Sequence, residues 1–396
     1  MKPKVLVAGA GIGGLAAALA LRKEGFEVVV VEQSRRLAEV GAGIQISPNA
    51  SRVLNWLGLE EKFAQRAVIP EAQIAYDWQS GERLYARPMK DKVMSRYGAN
   101  YYQVHRADLH STLTEALGSE NITLGFTIAA ARQDENSVYL QSVDGREVSG
   151  DLLIGADGLK SVVRKAVNNA ADSPVYTGMT AFRGTFPATK IPEGMLPTAS
   201  NNWMGPNGHV VSYYLRGQAL INVVGIMEIA EPTTESWSAE IPRDELMQIF
   251  DGWHDTVLNL LSAIDQPFQW GLYGRAPQSV WGQGRITLLG DAAHPMVPFL
   301  AQGAGMALED AAILARCLSA NLADPIQAMR RYEDLRRDRT ARVQLGALAR
   351  GNEMHETDQA KIAHRNASYR ESQADEDMLF QVFDWIYRYD PLRAAG

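Results

Sequence analysis

Apolar positions along the chain fall into short strand-like runs and longer helix-like runs, and their alternation predicts an α/β protein. Val5-Leu6-Val7-Ala8 has the length of a buried strand. A glycine cluster from Gly9 to Gly14 follows, and then Leu15-Ala16-Ala17-Ala18-Leu19-Ala20-Leu21, a run of strong helix formers. Gly25 marks the stop of that helix, because glycine takes the positive φ of a C′ position without strain. Phe26 to Val31 read as a β-branched strand ending at Glu32. Residues 4–32 are therefore one strand–turn–helix–strand unit.

Ser47 to Leu57 predicts a helix, followed by a more irregular stretch holding Trp78, Gly81 and Pro88. His105-Arg106-Ala107-Asp108-Leu109-His110 opens another helix, with Leu109, Leu113 and Leu117 on one face. Strands are expected from 122 to 156, where Val138 and Leu140 alternate with polar residues and Asp144-Gly145 signals a hairpin. Leu152-Leu153-Ile154 is a short buried strand that delivers Gly155 and Asp157. Between about 178 and 272 the runs His209–Leu215 and Leu220–Val224 alternate as in an antiparallel sheet with one covered face. Ile286–Leu289 is a further buried strand, with a helix from about Gly303 to Leu318 after its loop. The last fifty residues are polar and helical and finish with Phe380, Phe383, Trp385, Tyr387 and Tyr389. No repeat or low-complexity tract interrupts this order.

The chain has 396 residues, 46% hydrophobic and 21% charged, which is ordinary for a soluble globular protein of two or three domains. A net charge of −7 argues against nucleic acid as a partner, since a phosphate-binding surface needs clustered Lys and Arg. The single cysteine, Cys317, rules out an intramolecular disulfide and reads as a core residue. An amino terminus that runs straight into a strand is expected to carry no secretion leader, and the apolar run Leu15–Leu21 is too short to cross a bilayer. A cytoplasmic protein that does not engage membranes is expected. The sequon at Asn366 is read as chance.

Three segments carry chemistry. Gly9, Gly11 and Gly14 match a dinucleotide fingerprint in its required context of strand before and helix after. Gly9 permits a tight turn, Gly11 lets the backbone approach a pyrophosphate, and Gly14 allows close helix–strand packing. The helix start adds free N–H groups and about half a positive charge. Glu32, 18 residues after Gly14, is placed to accept from an adenosine ribose. The fingerprint alone does not separate FAD from NAD. Asp157-Gly158 alone reads as a strand-end turn; the helix behind it puts Arg164 near a turn able to hold a flavin chain and a nicotinamide cofactor. Gly290-Asp291 follows a strand, so Asp291 can accept from ribityl hydroxyls. Pro295, Pro298, Gln302 and Gly303 then make a stiff loop ending at a helix N-terminus, which would stabilise a reduced flavin anion. His294 reads as a structural hydrogen-bonder. No metal-ligand spacing and no Ser-His-Asp arrangement is seen.

Together GAGIGG (9–14), GADGLKSVVR (155–164) and GDAAHPMVPFLAQGAGMALEDA (290–311) resemble the single-component FAD-dependent aromatic hydroxylases, over nearly the whole chain. GAGIQISPNA (41–50), HRADLH (105–110) and WIYRYD (385–390) resemble the subgroup holding salicylate hydroxylase, 3-hydroxybenzoate 6-hydroxylase and 6-hydroxynicotinate 3-monooxygenase. The resemblance implies that Arg106 contacts the flavin chain, that Asp157 with Gly158 and Asp291 hold pyrophosphate and ribityl, and that 295–304, with Pro298, Gly303 and Ala304, covers the isoalloxazine. It also implies an enzyme that reduces FAD with NADH or NADPH, activates O₂ and transfers an OH⁺ equivalent to a small phenolic aromatic acid. One visible dinucleotide fold fits a nicotinamide that docks transiently.

The expected architecture is a Rossmann-like FAD-binding domain (1–75, 100–178 and 272–345), an inserted mixed or antiparallel substrate sheet (76–99 and 179–271) and a C-terminal helical segment (346–396). His209 and Tyr213, four apart on one strand face, are the candidate catalytic residues; Arg183, Arg216 and Tyr273 are weaker candidates for a substrate carboxylate. Two relatives resemble each other in carrying a histidine in the loop where this chain has Phe299, and the 3-hydroxybenzoate enzyme a glutamine near Pro298. Decarboxylating salicylate hydroxylation to catechol is the leading expectation, with 3-hydroxybenzoate 6-hydroxylation or 6-hydroxynicotinate 3-hydroxylation as alternatives. A flavin reductase or oxidase without oxygen transfer is the rival from another enzyme class, and a vestigial flavin-binding sensor the non-enzymatic one. The terminal aromatic group reads as packing, with a homodimer interface left open.

Overall fold

The computed structural model describes residues 2–37, 42–168, 173–231 and 239–395; Gly41, which opens the GAGIQISPNA segment, and residues 232–238 of the expected antiparallel region lie outside the described residues. Its first layer is a six-stranded sheet in the order Gly282–Gln283, Ile286–Leu288, Leu152–Gly155, Lys4–Ala8, Glu27–Val31 and Ile122–Thr123. All its pairings are parallel except the Gly282–Gln283 edge. Val5, Leu6, Val7 and Ala8 are fully buried because helices cover one face of this sheet and the antiparallel strands Ile128–Gln133, Val138–Ser142 and Glu147–Gly150 pack on the other, which explains their unbroken apolar run.

The helix Ile12–Lys23 returns the chain from the first strand to Glu27–Val31 and packs on the helix Gly303–Ala320. A Cβ on Gly13 would lie 2.9 Å from Leu289 Cδ2 and 3.2 Å from Ala307 Cβ, so glycine there lets the two helices close. Chain direction then decides the site: the carboxyl ends of four parallel strands put Gly9, Glu32, Asp157 and Asp291 along one edge of the sheet.

The second layer is an eight-stranded sheet in the order Ala239–Glu240, Phe268–Gly274, Val175–Pro187, Leu220–Glu228, Gly208–Leu215, Ala199–Gly205, Ala72–Asp77 and Arg83–Pro88. Only the Ala199–Gly205 with Ala72–Asp77 pairing is parallel. One face buries Phe182, Phe186, Val210, Ile221 and Val223 under the helices Arg243–Ile249 and Asp255–Ser262. Period-2 alternation sends Ala181, Arg183, His209, Tyr213, Asn222, Val224 and Ile226 to the opposite face.

The domain edges read from sequence fall inside elements. Residues 75/76, 178/179 and 271/272 lie within the strands Ala72–Asp77, Val175–Pro187 and Phe268–Gly274, and the helix Pro325–Met354 runs unbroken through 345/346. Ladder and helix hydrogen bonds carry these elements past the points where the composition shifts. The terminal aromatics pack within the chain: Phe380, Ile386 and Tyr387 share a core with Tyr97 and Tyr101. No helix among the described residues is long and apolar enough to cross a membrane.

Candidate active site

The first loop is shaped for a close-approaching ligand. Gly9 has φ +98°, and a Cβ there would lie 2.5 Å from Ala156 O; a Cβ on Gly14 would stand 2.0 Å from Gly9 O. Side chains larger than hydrogen are thus shut out on the packed side. On the open side, a Cβ on Gly11, Gly158 or Gly303 would meet no heavy atom within 4 Å. Three glycines from three distant segments leave free backbone where the diphosphate and ring of FAD would lie, so the residues present fit that cofactor. Glu32 fastens this cradle, accepting from the N–H of Ala10 and of Ser34, each at 2.8 Å, with lone pairs left for ribose hydroxyls. His110 Nε2 lies 2.8 Å from Ala10 O on the other side of the loop.

Asp157 turns inward. Its carboxylate accepts from Ser161 Oγ (2.5 Å) and from the N–H groups of Val162 (2.7 Å) and Val163 (3.1 Å), capping the helix Val163–Val167. Burial raises its pKa against these hydrogen bonds. Its carboxylate therefore shapes the turn, and Gly158 (φ +77°) offers open backbone beside it. Arg164 is buried, and its guanidinium donates to Ala292 O at 2.6 Å, tying the second segment to the third.

Asp291 reaches solvent but is ringed by protein, as in a cleft: burial raises its carboxyl, and the His294 and Arg106 charges oppose that shift. Arg106 also pushes down Arg183, whose own burial is the larger cause of a guanidinium lowered to about 10. Arg106 thus stands electrostatically between the ribityl-side acid and the substrate-sheet arginine. Beneath the loop lies a buried charge network that the sequence reading missed. Asp310 accepts from Gly290 N–H (3.0 Å), pairs with His294 Nε2 (2.6 Å) and receives Arg336 Nε (2.6 Å). Burial opposes its ionisation, yet His294 and Arg336 together hold it at about 2. Glu309 binds Arg336, Arg339 and Asn49, and Asn49 holds Gln302 (3.1 Å) at the start of the helix Gly303–Ala320. The loop and its helix start are thereby braced from below. The only hint of this network in the sequence is the Glu-Asp pair on an apolar helix, which predicts buried, partnered acids. Pro298 begins a short 3-10 turn that ends at Ala301 in the left-handed region (φ +52°).

His209 and Tyr213 are 3% and 4% exposed and face the same way. Tyr213 packs against Gly43, where a Cβ would lie 2.5 Å from its Cε2, and burial pushes its hydroxyl up. That hydroxyl has no hydrogen-bond partner among the described residues. Beside it, Asn222 accepts from Gly43 N–H (2.7 Å) while its buried Nδ2 has no partner there either. His209 Nδ1 lies 2.7 Å from His355 Nε2, and Phe299 stands edge-on to both imidazoles, with centroids 5.4 and 5.5 Å away. His355, at the end of the long helix Pro325–Met354, was not foreseen; no local pattern marks it. Of the weaker candidates, Arg183 is on the face with His209 and Tyr213. Arg216 is not in the site: it sits in a surface turn and pairs with Asp108 at 2.8 Å. Tyr273 packs its ring on Tyr176 at 5.4 Å.

Comparison with known proteins agrees with this geometry. A family model described as an FAD binding domain matches residues 2–345. The chain is 36% identical to 3-amino-4-hydroxybenzoate 2-monooxygenase of Streptomyces platensis over 98% of its length and 96% of that protein's. It is 35% identical to 6-hydroxynicotinate 3-monooxygenase of Bordetella bronchiseptica and 35% identical to 3-hydroxybenzoate 6-hydroxylase of Polaromonas naphthalenivorans, each over 98% and 96%. Among solved structures, Klebsiella pneumoniae HpxO with FAD and uric acid superposes with a TM-score of 0.87 at 26% identity, covering 97% of each chain. A salicylate hydroxylase substrate complex gives 0.84 at 26%, over 100% and 98%. The chain belongs to the FAD-binding-domain family of flavin-dependent aromatic monooxygenases, with FAD as its cofactor.

Proposed function

We propose that the protein hydroxylates a small aromatic acid whose ring hydroxyl is meta or para to the carboxylate, using NADH or NADPH and O₂. The observation that carries this reading is the spacing of two polar grips. His209 and Tyr213 share a sheet face, and four residues at ~3.3 Å put their Cα atoms about 13 Å apart. They can lean onto opposite ends of a ligand ring more readily than onto one oxygen. An ortho acid such as salicylate presents hydroxyl and carboxylate side by side; a meta or para acid separates them. The names of the relatives fit: 3-amino-4-hydroxybenzoate, 6-hydroxynicotinate and 3-hydroxybenzoate all carry the hydroxyl away from the carboxylate. The salicylate expectation keeps one favouring observation, the overlay on the salicylate hydroxylase complex.

Bound FAD would accept the nicotinamide's reducing equivalents and activate O₂, and the chain's residues do the rest. His209 meets the ring hydroxyl. Burial and the neighbouring His355 hold it neutral, so its imidazole can take a proton and leave an electron-rich ring. Tyr213 stays protonated and donates to the carboxylate end beside Asn222, while Arg183, still cationic, supplies charge from the strand on the far side of Asn222's. Phe299 walls the His209 end with an apolar ring and keeps water from the reacting position.

The test is turnover of the FAD-loaded enzyme with reduced nicotinamide and each of 3-amino-4-hydroxybenzoate, 6-hydroxynicotinate, 3-hydroxybenzoate and salicylate, with products identified by mass. Gain of one oxygen by 3-amino-4-hydroxybenzoate or 3-hydroxybenzoate, or replacement of the carboxylate of 6-hydroxynicotinate by a hydroxyl with release of CO₂, supports the proposal. Catechol from salicylate alone replaces it with the decarboxylating reaction. Peroxide without an oxygenated product favours the reductase or oxidase rival.

A further inference from the structure

We propose that His209, His355 and Glu228 form a proton relay between the buried hydroxyl of the substrate and solvent. The inference rests on the reading of His209 as the group that meets that hydroxyl. The contact between the two imidazoles is direct, His209 Nδ1 to His355 Nε2 at 2.7 Å, so one nitrogen donates and the other accepts. His355 Nδ1, buried and without an aligned hydrogen bond, lies 3.3 Å from Glu228 Oε1. The Glu228 side chain is 47% exposed, so its carboxylate can exchange protons with water. One turn sets both ends: Asn207 N–H donates to His355 O (3.0 Å), and Glu228 N–H donates to Asn207 O (2.7 Å).

The pass balances without a buried cation. The substrate O–H bond breaks as His209 gains a proton at Nε2. The Nδ1–H of His209 moves to His355 Nε2, and the Nδ1–H of His355 moves to the Glu228 carboxylate, which releases it to water. Both imidazoles exchange tautomer and stay neutral, and the phenolate remains in the cleft. The reverse pass returns a proton to the product hydroxyl and resets both rings. Burial holds His355 down to about 4 and His209 well below its usual value, so neither ring can simply store the proton. Burial raises Glu228 from its ordinary value, which helps it to accept.

The other charges nearby are committed elsewhere. Arg350, which further depresses His209, is bound to Glu353 (2.7 Å) and to Tyr369. Arg365 donates to the carbonyls of Glu353 and Met354. Phe299 stands edge-on to both imidazoles, and Glu228 is the exposed carboxylate that His355 meets.

His355 and Glu228 are thus positioning residues, acting through His209, and the test must separate relay from scaffold. His355→Gln and Glu228→Gln holoenzymes are compared with wild type for FAD content, KM and coupled hydroxylation across pH, using the four acids above. A relay predicts unchanged FAD content and KM, and hydroxylation about 10²-fold slower at neutral pH. The rate should climb with pH as hydroxide replaces the wire, and Glu228→Asp should restore most of it. Glu228→Gln, at the exposed end, keeps the test open should His355→Gln fold poorly. Wild-type pH profiles in the variants, or an equal loss at every pH, overturn the relay while hydroxylation by wild type still stands. Failure of wild type to hydroxylate any of the four acids overturns both readings.

Discussion

Alanine substitutions at Gly11 and Gly14 should separate protein packing from cofactor approach, although both glycines belong to one short loop. At Gly14 the added methyl would stand 2.0 Å from Gly9 O and 3.1 Å from Gly9 C, both backbone atoms that cannot rotate away. A comfortable contact is about 3.5 Å, so the helix start and the strand end must part by about 1.5 Å. Overpacking of this kind costs ~1–3 kcal/mol, and a melting temperature lower by about 2–4 °C per kcal/mol is expected even without FAD. At Gly11 nothing lies within 4 Å, and φ −70°, ψ 177° is a conformation any residue adopts. The apoprotein of Gly11→Ala should therefore be as stable as wild type or ~0.4–1 kcal/mol more so, since alanine restricts the unfolded chain. Its penalty appears only when a diphosphate must approach the backbone. Loss of one N–H bond to a charged oxygen costs ~1.5–3 kcal/mol, or about 10–100-fold in Kd. Melting curves of the flavin-free proteins and quenching of FAD fluorescence on titration measure the two effects. Wild-type FAD affinity in Gly11→Ala, or a wild-type melting point in apo Gly14→Ala, would refute the division of roles.

Asp291→Ala should release FAD more readily, by ~1.5–3 kcal/mol for a charged acceptor lost to a hydroxyl; full flavin occupancy after gel filtration would remove Asp291 from the cofactor site. Tyr213→Phe should lower kcat/KM about 10–100-fold, from one hydrogen bond to a charged group, with flavin absorbance intact; unchanged turnover would rule Tyr213 out. Asp310 has a folded pKa held at about 2 against an ordinary 3.8. Its stabilising contribution is present above 3.8 and lost as pH falls toward 2, so Asp310→Asn should flatten acid unfolding across that window when followed by circular dichroism. Arg216→Ala, which breaks only a surface pair with Asp108, should leave turnover within error of wild type; a large loss would return it to the site.

Legibility of the site tracked how local each signal is. The glycine loop could be read because each requirement on Gly9, Gly11 and Gly14 comes from residues adjacent in strand, turn and helix. The orientation of His209 and Tyr213 was readable too, since period-2 alternation puts residues four apart on one face. Asp157 shows where such reading stops: nothing in an acid before a glycine signals that it also caps the next helix through Val162 and Val163. Arg216 was misplaced for a related reason, because its partner Asp108 is more than a hundred residues away in the chain.

By itself the sequence determined the alternating elements, the parallel nucleotide-binding sheet and the three loops at its carboxyl edge, because periodicity and glycine conformation act over a few residues. Tertiary structure alone decided what those loops and the substrate sheet meet. The parallel pairing of Ala72–Asp77 with Ala199–Gly205, the bracing of Asp310 by Arg336 and the contact of His355 with His209 all join distant segments. Such pairs form because burial removes water as a hydrogen-bond partner, and which protein groups take its place depends on how the layers pack.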